Sequence, residues 1–425
     1  MNKEKTKAII FANKDEALLR LWGMTLYEKI LRQLSSINIE ECILIANDFS
    51  IIKSNLRKDF KQWNTINIKI QQIESNEIKT LTSILKNDDS NFLVIQGNAV
   101  FDSRILQYLQ QELEKNHFKY VTENDNLSSP FIFSVCKKVY DFDNPRDYKD
   151  LKDLFSKNPS LDKILTKDMD CYIVKLRKHL VPYLLEVRDK QSLKKAKLIS
   201  FNSVYKGAVD FVTKYIYPIP VRIFVGLISP TYLTPNQITL FSISLAFGSI
   251  PFYFLGWYWL AICMGVVMSF LDSVDGKLAR LTMRTTTSGR RLDHISDRVY
   301  LPIWYLGVGW SLAEGNMLNF NSYFVISTWL LVVIYIIDRI MIKLFRKLYN
   351  ASINDYTKLD YYVRIFIARR NAFLMTMIIG LVFSRPDYGF FIFVFWQIIT
   401  FFFHLFRFIY LPLSKKEYLD YTLTS

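Results

Sequence analysis

Apolar residues are distributed unevenly along this chain of 425 residues, and this distribution constrains the fold more than any other feature. From Met1 to about Leu198, charged side chains interrupt every apolar run, whereas from about Pro235 to Leu411 apolar runs of membrane-spanning length follow one another. Hydrophobic residues make up 51% of the chain and aromatic residues 16%, a mixture typical of proteins that are partly embedded in a membrane. We therefore predict a soluble N-terminal half and a membrane-embedded C-terminal half.

The N-terminal half alternates short apolar runs with amphipathic helical patterns, which predicts an α/β, Rossmann-like domain with a mostly parallel sheet. The predicted elements are Ala8 to Ala12, Leu18 to Leu34, Cys42 to Ala46, Ile66 to Ile70 and Phe92 to Gln96. We assign residues 1–186 to this domain and expect it in the cytoplasm, because its polar start has no apolar run of signal-peptide length. Residues 187–234 are predicted to form a basic linker and then an interfacial helix, from Phe211 to Leu227.

Residues 235–425 are predicted to form an all-α domain of six transmembrane helices. Thr234 and Pro235 indicate where the first helix begins, since threonine caps free backbone N–H groups and proline suits the first helical turn. With the N-terminus in the cytoplasm, the outer loops carry one basic residue, Arg385, and the other basic loop residues lie inside, as in most membrane proteins. The predicted spans are 235–255, 258–281, 291–313, 321–343, 370–384 and 388–411.

Four aspartates gather around the loop between the second and third predicted spans. The sequence reads Asp272-Ser-Val-Asp275-Gly276-Lys-Leu-Ala279-Arg280 and then Gly289-Arg-Arg-Leu-Asp293-His-Ile-Ser-Asp297. These spacings place the members of each group on one face of a helix. Carboxylates at this depth would repel one another unless cations neutralised them, and Mg²⁺ or Mn²⁺ binds carboxylate and phosphate oxygens together. The pattern therefore predicts a divalent-metal site that accepts a nucleotide pyrophosphate.

The spacing D-x-x-D-G-x-x-A-R-x8-G-x3-D-x3-D resembles the signature of the CDP-alcohol phosphotransferase family at every defined position. The resemblance implies an integral-membrane, usually homodimeric enzyme with two divalent cations. Such an enzyme transfers a phosphoalcohol from a CDP-alcohol donor to a hydroxyl acceptor among membrane lipids, releases CMP, and commonly serves phospholipid synthesis.

The same resemblance implies a role for each signature residue. Asp297 would be the general base and also a metal ligand, and Asn236 is suggested as a cytidine contact by the opening of the first span, Pro235 to Thr239. The implied metal ligands are Asp272, Asp275, Asp293 and Asp297, and the implied CDP-binding residues are Gly276, Ala279, Arg280 and Gly289.

A basic cluster near the fifth predicted span allows two interpretations. Its ordinary interpretation is positive charge on the inner side of the membrane, and the alternative is a pocket for a phosphorylated acceptor such as an inositol phosphate. Arg369 and Arg370, at the start of that span, are the better candidates for acceptor binding because they would face the cytoplasmic cavity. The cluster comprises Lys343, Arg346, Lys347, Arg364, Arg369 and Arg370.

Other classes of function remain as alternatives or are excluded. Acidic residues within spans also occur in ion transporters, so a divalent-ion transporter is a second hypothesis, although transport would not require the glycine, alanine and arginine of the signature. The net charge of +15 could suit nucleic acid, but no basic stripe is interleaved with stacking aromatics, so nucleic-acid binding is not expected.

The N-terminal half resembles sugar-nucleotide or CTP-dependent nucleotidyltransferases in the order of its elements, including the strand and turn from Phe92 to Asn98. Active members of that family wrap the nucleotide phosphates with a glycine-rich loop, but the segment from Phe11 to Glu16 has no glycine, and Asn98 replaces the expected metal-binding aspartate. We therefore predict a degenerate domain that stabilises a dimer, binds a partner or is an evolutionary remnant. Because some family members carry an active cytidylyltransferase that makes CDP-inositol, a bifunctional, inositol-related enzyme is the alternative.

Overall fold

The computed structural model describes residues 6–410 apart from several internal segments. These segments are 64–65, 74–75, 116, 124–129, 137–150, 152, 154–161, 174–175, 208, 285–286, 350–351 and 355. At 49, 51, 62–63, 287–294 and 358 only the backbone is described.

The N-terminal domain is built on a seven-stranded sheet in the order β10-β8-β9-β6-β1-β4-β5. All neighbouring strands are parallel except β9, which runs antiparallel between β6 and β8, so the predicted mostly parallel sheet is confirmed. The strands are β1 (Thr6–Phe11), β2 (Arg20–Leu21), β3 (Met24–Thr25), β4 (Glu41–Ala46), β5 (Asn67–Gln72), β6 (Asn91–Gln96), β7 (Ala99–Phe101), β8 (Lys119–Thr122), β9 (Ile132–Val135), β10 (Asp162–Leu165), β11 (Tyr172–Ile173), β12 (Lys178–His179) and β13 (Leu184–Glu186).

Helices cover both faces of this sheet, which explains why the central strands are apolar throughout. Residues of α1 and α5 pack with Ala8 and Ile10 on one face, and residues of α4 pack with Ile9 and Phe11 on the other. The helices before the membrane domain are α1 (Leu26–Ser36), α2 (Phe49–Asn55), α3 (Phe60–Trp63), α4 (Glu77–Asn87), α5 (Ser103–Glu114), α6 (Lys190–Ser203) and α7 (Pro218–Ile228).

The prediction of one helical segment from Leu18 to Leu34 is wrong in its first half. A 3₁₀ turn at Asp15–Leu18 leads into the β2–β3 hairpin, and α1 begins only at Leu26. The hairpin turn needs positive φ at Trp22 (53°) and Gly23 (78°), a conformation that no helix contains.

The predicted linker, 187–234, contains two helices, α6 and α7. A turn of π-helix at Val212–Ile216 precedes α7, and Ile219, Ile223 and Leu227 are exposed on one side of α7. This exposed apolar side agrees with a helix at the membrane interface, although the domain boundaries stay predictions. The opposite side of α7 shares a core with the β2–β3 hairpin, α6 and α10, and this core joins the two halves of the chain.

The C-terminal region is helical. Five helical stretches in the described part of the chain are long and apolar enough to cross a membrane: Pro235–Phe254, Tyr258–Thr282, Tyr323–Tyr349, Leu359–Val382 and Pro386–Tyr410. The helices are α8 (Pro235–Gly248), α9 (Ile250–Phe254), α10 (Tyr258–Thr282), α11 (Thr287–Leu312), α12 (Tyr323–Tyr349), α13 (Lys358–Phe366), α14 (Arg370–Val382) and α15 (Pro386–Tyr410).

Six spans are not confirmed. The predicted third span, 291–313, coincides with α11, but the first half of this helix carries the charged signature residues, including Asp297 and Arg298, so its apolar part is short. The predicted fifth span, 370–384, begins earlier than expected, because the apolar stretch starts at Leu359.

The first membrane helix begins as predicted. The hydroxyl of Thr234 accepts a hydrogen bond from the backbone N–H of Gln237, and Pro235 occupies the first turn. The helix is interrupted between α8 and α9 near Pro251. There the carbonyl of Ala246 accepts hydrogen bonds from the Ser249 hydroxyl at 2.8 Å and from the buried indole N–H of Trp304 at 2.9 Å.

Candidate active site

The two aspartates of α10 contact two different neighbouring helices. Asp275 is 7% exposed and accepts a hydrogen bond of 2.5 Å from the hydroxyl of Thr239 on α8. Asp272, almost one turn earlier, forms an ion pair with Arg370 at the start of α14. The spacing of three residues thus presents both carboxylates on one side of α10, as the sequence predicted, and each is held by a different helix.

Arg370 joins the carboxylates of α10 and α11. One guanidinium nitrogen contacts Asp272, and the other lies 3.1 Å from Oδ1 of Asp297. The hydroxyl of Tyr300 donates to the same oxygen of Asp297 at 2.6 Å and accepts a hydrogen bond from Arg370 at 2.9 Å. A single cationic group therefore bridges two signature aspartates that lie on separate helices.

A second layer of hydrogen bonds fixes the start of α14. The amide of Asn371 donates to Asp210 at 2.8 Å and accepts from the hydroxyl of Ser269 on α10 at 2.5 Å. Burial opposes the ionisation of Asp210, but hydrogen bonds from Asn371 and Thr213 and the charge of Arg370 lower its pKa below the usual value. Asp210 is therefore a further charged carboxylate beside the signature residues.

The segment that follows α6 covers the other side of the signature. Arg280 donates from Nε to the carbonyl of Val204 at 3.0 Å, and the Lys277 ammonium lies 4.1 Å from the centre of the Tyr205 ring. A Cβ atom on Gly276 would lie 3.4 Å from the Arg280 guanidinium, so glycine leaves room for this group to lie against α10. Arg280 lies close enough to the two aspartates of α10 for their charges to attract it.

The other predicted donor-site residues are only partly described. Asn236 lies one turn before Thr239 on α8 and is half-buried, and Ala279 is half-buried on α10. Asp293 and Gly289 lie on α11, in the stretch where only the backbone is described.

The two arginines predicted to bind the acceptor differ in their surroundings. Arg370 contacts the signature aspartates, whereas Arg369 precedes α14, and its buried Nε has no hydrogen-bond partner among the described residues. Arg339 and Arg364 lie close enough to Arg369 to repel it, and Asp210 and Asp338 lie close enough to attract it. Asp338 is buried and contacts Nδ1 of His404 at 2.6 Å.

The end of β6, where Asn98 replaces the expected metal-binding aspartate, is hydrogen-bonded within the N-terminal half. Asn98 donates to the carbonyl of Val187 at 2.9 Å and accepts from Gln96 at 2.7 Å. A Cβ atom on Gly97 would lie 2.6 Å from the carbonyl oxygen of Phe11, so the end of β6 packs directly against the loop after β1. Asn13 of that loop in turn donates a hydrogen bond to Glu77 at 2.9 Å, which holds the loop against α4.

The donor set of the signature suits a hard divalent ion, although no group of three acidic, histidine or cysteine side chains converges as a metal site among the described residues. Asp272 and Asp297 already share one cationic partner, which shows that a single positive group reaches both. All candidate donors are carboxylate oxygens, as Mg²⁺ and Mn²⁺ prefer, so the residues present fit the ion that the sequence predicted.

Residues 232–406 match the model of the CDP-alcohol phosphatidyltransferase family. The C-terminal domain belongs to this family. The signature aspartates lie inside the matched range, and the sequence-based assignment of the chain as a CDP-alcohol phosphotransferase is confirmed.

Relatives of this phosphotransferase include the bifunctional IPC transferase and DIPP synthase of Aquifex aeolicus, which is 23% identical over 314 residues covering 67% of this chain and 69% of that protein. A CDP-diacylglycerol–serine O-phosphatidyltransferase of Helicobacter pylori strain J99 is 38% identical over 96 residues, which cover 21% of this chain and 40% of that protein. These relatives support a role of the phosphotransferase in phospholipid synthesis.

Solved structures similar to the chain match over its N-terminal half. One, described as a glucose-1-phosphate thymidylyltransferase from Bacillus anthracis, has a TM-score of 0.37 at 12% identity and covers 46% of this chain and 94% of its own. Another, 4-diphosphocytidyl-2C-methyl-D-erythritol synthase from Anaerococcus prevotii, has a TM-score of 0.33 at 14% identity and covers 47% and 96%.

A phosphotransferase of this kind needs a group that accepts the hydroxyl proton and groups that balance phosphate charge. Asp297 suits the first task because its side chain is 41% exposed and accessible, against 23% for Asp272. Arg370 and Arg280 suit the second task, since both carry guanidinium groups beside the signature carboxylates.

Sequence reasoning missed several residues of this site. Thr239 and Tyr300 hydrogen-bond the signature aspartates Asp275 and Asp297, and Asn371, next to Arg370, hydrogen-bonds Asp210. Thr239 was within reach of the helical pattern, because it lies one turn after Asn236 on the same face of α8. Tyr300 was within the same reach, because it lies three residues after Asp297 on α11, whereas Asn371 and Asp210 come from distant parts of the chain and had no local signal.

Proposed function

We propose that the chain transfers a substituted phosphate from a CDP-alcohol to a hydroxyl acceptor in a reaction that depends on two Mg²⁺ or Mn²⁺ ions. The observation that carries this proposal is the bridge of Asp272 and Asp297 by one cationic group, with Asp275 on the same side of α10. Asp272, Asp275, Asp293 and Asp297 would hold the ions, which when bound polarise the pyrophosphate and balance its charge.

The chain's own residues then have separate tasks in a direct displacement. Asp297 takes the proton from the acceptor hydroxyl as its oxygen attacks the phosphorus, and CMP leaves with the bonding electrons. Tyr300 and Arg370 orient Asp297 by binding its Oδ1 atom. Arg280, with Gly276, Ala279, Gly289 and Asn236, lines the site of the CDP group.

The acceptor is proposed to carry an anionic group that Arg369 and Arg370 recognise. The buried Nε of Arg369, without a partner among the described residues, supports this role, since an unpaired buried donor is costly unless a ligand pairs with it. An Arg369→Gln variant should raise the KM for a phosphorylated acceptor much more than the KM for the CDP-alcohol. An equal effect on both would favour the ordinary role of positive charge at the inner membrane side.

The N-terminal domain is proposed to have no nucleotidyltransferase activity. Asn98 uses both its amide nitrogen and oxygen within the domain, and the loop after β1 packs against Gly97 where a nucleotide would need space. The bifunctional alternative predicts CTP consumption by the full-length protein in the presence of an alcohol phosphate. Pyrophosphate release from CTP would support that alternative.

The active site is proposed to open to the cytoplasm, within a homodimer. The signature end of α10 lies on the same side of the helical domain as the N-terminal domain, since Arg284 binds Asp59, so both should share one compartment. A labelling reagent that cannot cross membranes tests the orientation, and light scattering in detergent tests the dimer.

The decisive experiment is the measurement of CMP release by purified full-length protein with Mn²⁺ and a panel of CDP-alcohols and acceptors. We expect CMP only with one donor and acceptor pair, and no CMP from an Asp293→Asn variant. Metal flux across vesicles without CMP release would instead support the transporter hypothesis.

A further inference from the structure

A buried group of charges joins the N-terminal domain to the loop between the two signature helices. Helix α10 ends at Thr282, the next residue Met283 has a positive φ of 55°, and the chain then directs Arg284 into the N-terminal domain. The Arg284 side chain is fully buried, and its guanidinium lies 2.5 Å from a carboxylate oxygen of Asp59. Asp59 belongs to the segment before α3, far from the membrane helices in the sequence.

The same group holds the end of α10 by its backbone. Arg32 of α1 donates to the carbonyl of Thr282 at 3.0 Å and pairs with Glu28 at 2.7 Å. Arg32 also lies 3.5 Å from Asp59, so two arginines from different domains share one carboxylate. A carbonyl in the last turn of the helix is thereby paired with a charged donor.

A third arginine holds the approach to α8. Arg57 donates to the carbonyl of Ser229 at 2.7 Å and to that of Thr231 at 2.6 Å, and it pairs with Asp59 at 3.1 Å. Contact here is close, because a Cβ atom on Gly23 would lie 2.5 Å from the Ser229 oxygen. The charged group therefore contacts the chain just before α8 and just after α10.

The need to hold the two halves of the chain together does not by itself explain this buried group of charges. Burial, Arg57 and Arg32 lower the pKa of Arg284 to about 10 although Asp59 raises it, so the group stays charged at neutral pH. Buried charges cost more than apolar contacts of the same size, and an apolar core already joins the two halves. Charged hydrogen bonds, unlike apolar contacts, fix both distance and direction.

We propose that Asp59 is a positioning residue, through which the N-terminal domain sets the distance between α8 and α10 and thereby the geometry of the metal-binding aspartates. Thr239 of α8 holds Asp275 of α10, so a shift of either helix end moves this carboxylate relative to those on α11. The inference rests on the proposed function, and it assigns to a domain without transferase activity a direct effect on the membrane site.

The test compares full-length Asp59→Asn with the parent protein by direct Mn²⁺ binding, measured with electron paramagnetic resonance, and by CMP release. Arg57→Gln removes the charged hydrogen bonds to the Ser229 and Thr231 carbonyls, and Arg284→Lys keeps the positive charge beside Asp59 but changes the shape of the group that carries it. Asp162→Asn is the matched control. Asp162 lies on β10 of the same domain, is exposed, and forms an ion pair with Lys119 at 2.9 Å.

We expect Asp59→Asn to bind Mn²⁺ roughly ten-fold more weakly at unchanged stoichiometry, as for other residues that support metal ligands indirectly. Its kcat should fall at low Mn²⁺ and recover at high Mn²⁺, and Arg284→Lys should show a smaller change. Asp162→Asn should match the parent.

Two results would overturn the proposal. One is Mn²⁺ affinity equal to that of the parent in folded Asp59→Asn and Arg57→Gln proteins. The other is a loss of bound Mn²⁺ that parallels the loss of folded protein, with the remainder binding normally. Absence of CMP release from the parent, with Mn²⁺ still bound, would count against the proposed function and leave the binding comparison intact.

Discussion

The two halves of the molecule each place polar side chains where a nucleotide-handling protein needs them, but they use these side chains differently. At the edge of the N-terminal sheet, Asn98 is paired with Gln96 of β6 and with Val187, which directly follows β13. In the membrane domain, Asp272 and Asp297 are paired with Arg370, a side chain on a third helix.

The difference lies in whether a ligand can replace the partner. The backbone carbonyl of Val187 cannot leave Asn98 without disturbing β13 and its surroundings, whereas a long arginine side chain can exchange its carboxylate partners for a phosphate group. A site that binds a ligand thus keeps its charges on exchangeable partners, whereas a scaffold binds its polar groups to its own backbone.

The largest expected effect is a loss of CMP release when the membrane domain is changed but not when the N-terminal domain is changed. Asp297→Asn should lower the rate of CMP release about a thousand-fold, the loss typical of removing a general base. The variant should still fold, because Asp297 is partly exposed. Asn98→Ala is the control and should leave CMP release unchanged. Comparable losses in the two variants would contradict the view that the membrane domain alone carries the reaction.

The second prediction concerns the exchangeable partner itself. Arg370→Gln should lower kcat about a hundred-fold, because a preorganised positive group beside the reacting phosphate is lost. Arg385→Gln is the control and should be neutral, since the exposed Arg385 lies beyond α14 and pairs with Asp387. Steady-state CMP release checks both, and full activity in Arg370→Gln would contradict the assigned role.

The third prediction tests whether a buried charge in the N-terminal domain is a cost to stability. Burial lowers the pKa of Lys29 to about 8, partly offset by Asp102. The folded pKa is below the unfolded value, so the parent gains stability as pH rises between the two. The stabilising effect of Lys29→Met should therefore shrink by about 2 kcal/mol from about pH 7 to pH 9.5.

Urea unfolding followed by circular dichroism at both pH values measures this change. Lys115→Met serves as the control, because Lys115 is exposed and its pKa is raised by Glu112, so no such advantage should appear. A Lys29→Met advantage that is constant with pH would show that Lys29 keeps its proton in the folded domain over this pH range, as it does in the unfolded chain.

The smallest expected effect returns to Asn98. Asn98→Asp should reduce stability by about 1 kcal/mol, since the new carboxylate has no N–H to donate to the Val187 carbonyl. CTP consumption should not appear, because the loop after β1 still lacks glycine. Pyrophosphate release by this variant would show that one residue alone separates the scaffold from an active transferase.

Local patterns predicted the parts of the fold and site that depend on near neighbours. Thr234 and Pro235 begin α8, and the spacing of Asp272 and Asp275 places both on one side of α10, as expected. The segment from Leu18 was misassigned, because the apolar spacing of a hairpin and a following helix can together imitate one longer helix.

Contacts between distant elements could not be predicted in this way. Arg370 reaches Asp297 across 73 positions, and nothing in the sequence distinguishes it from its neighbour Arg369. The arginine group around Asp59 was missed for the same reason, since its members combine α1, the α2–α3 connection and the end of α10. Only the packing of the two halves brings these charges together.

The interruption between α8 and α9 also has a consequence for biosynthesis. Trp304 donates its indole N–H to the Ala246 carbonyl, 58 positions earlier in the chain. The Ala246 carbonyl also accepts from Ser249 of its own segment, so this segment does not depend on Trp304, whereas an indole N–H without a partner is costly in hydrocarbon. The ribosome delivers the acceptor well before the donor. The earlier segment should therefore still lie beside the insertion machinery when α11 arrives, which couples their departure from it.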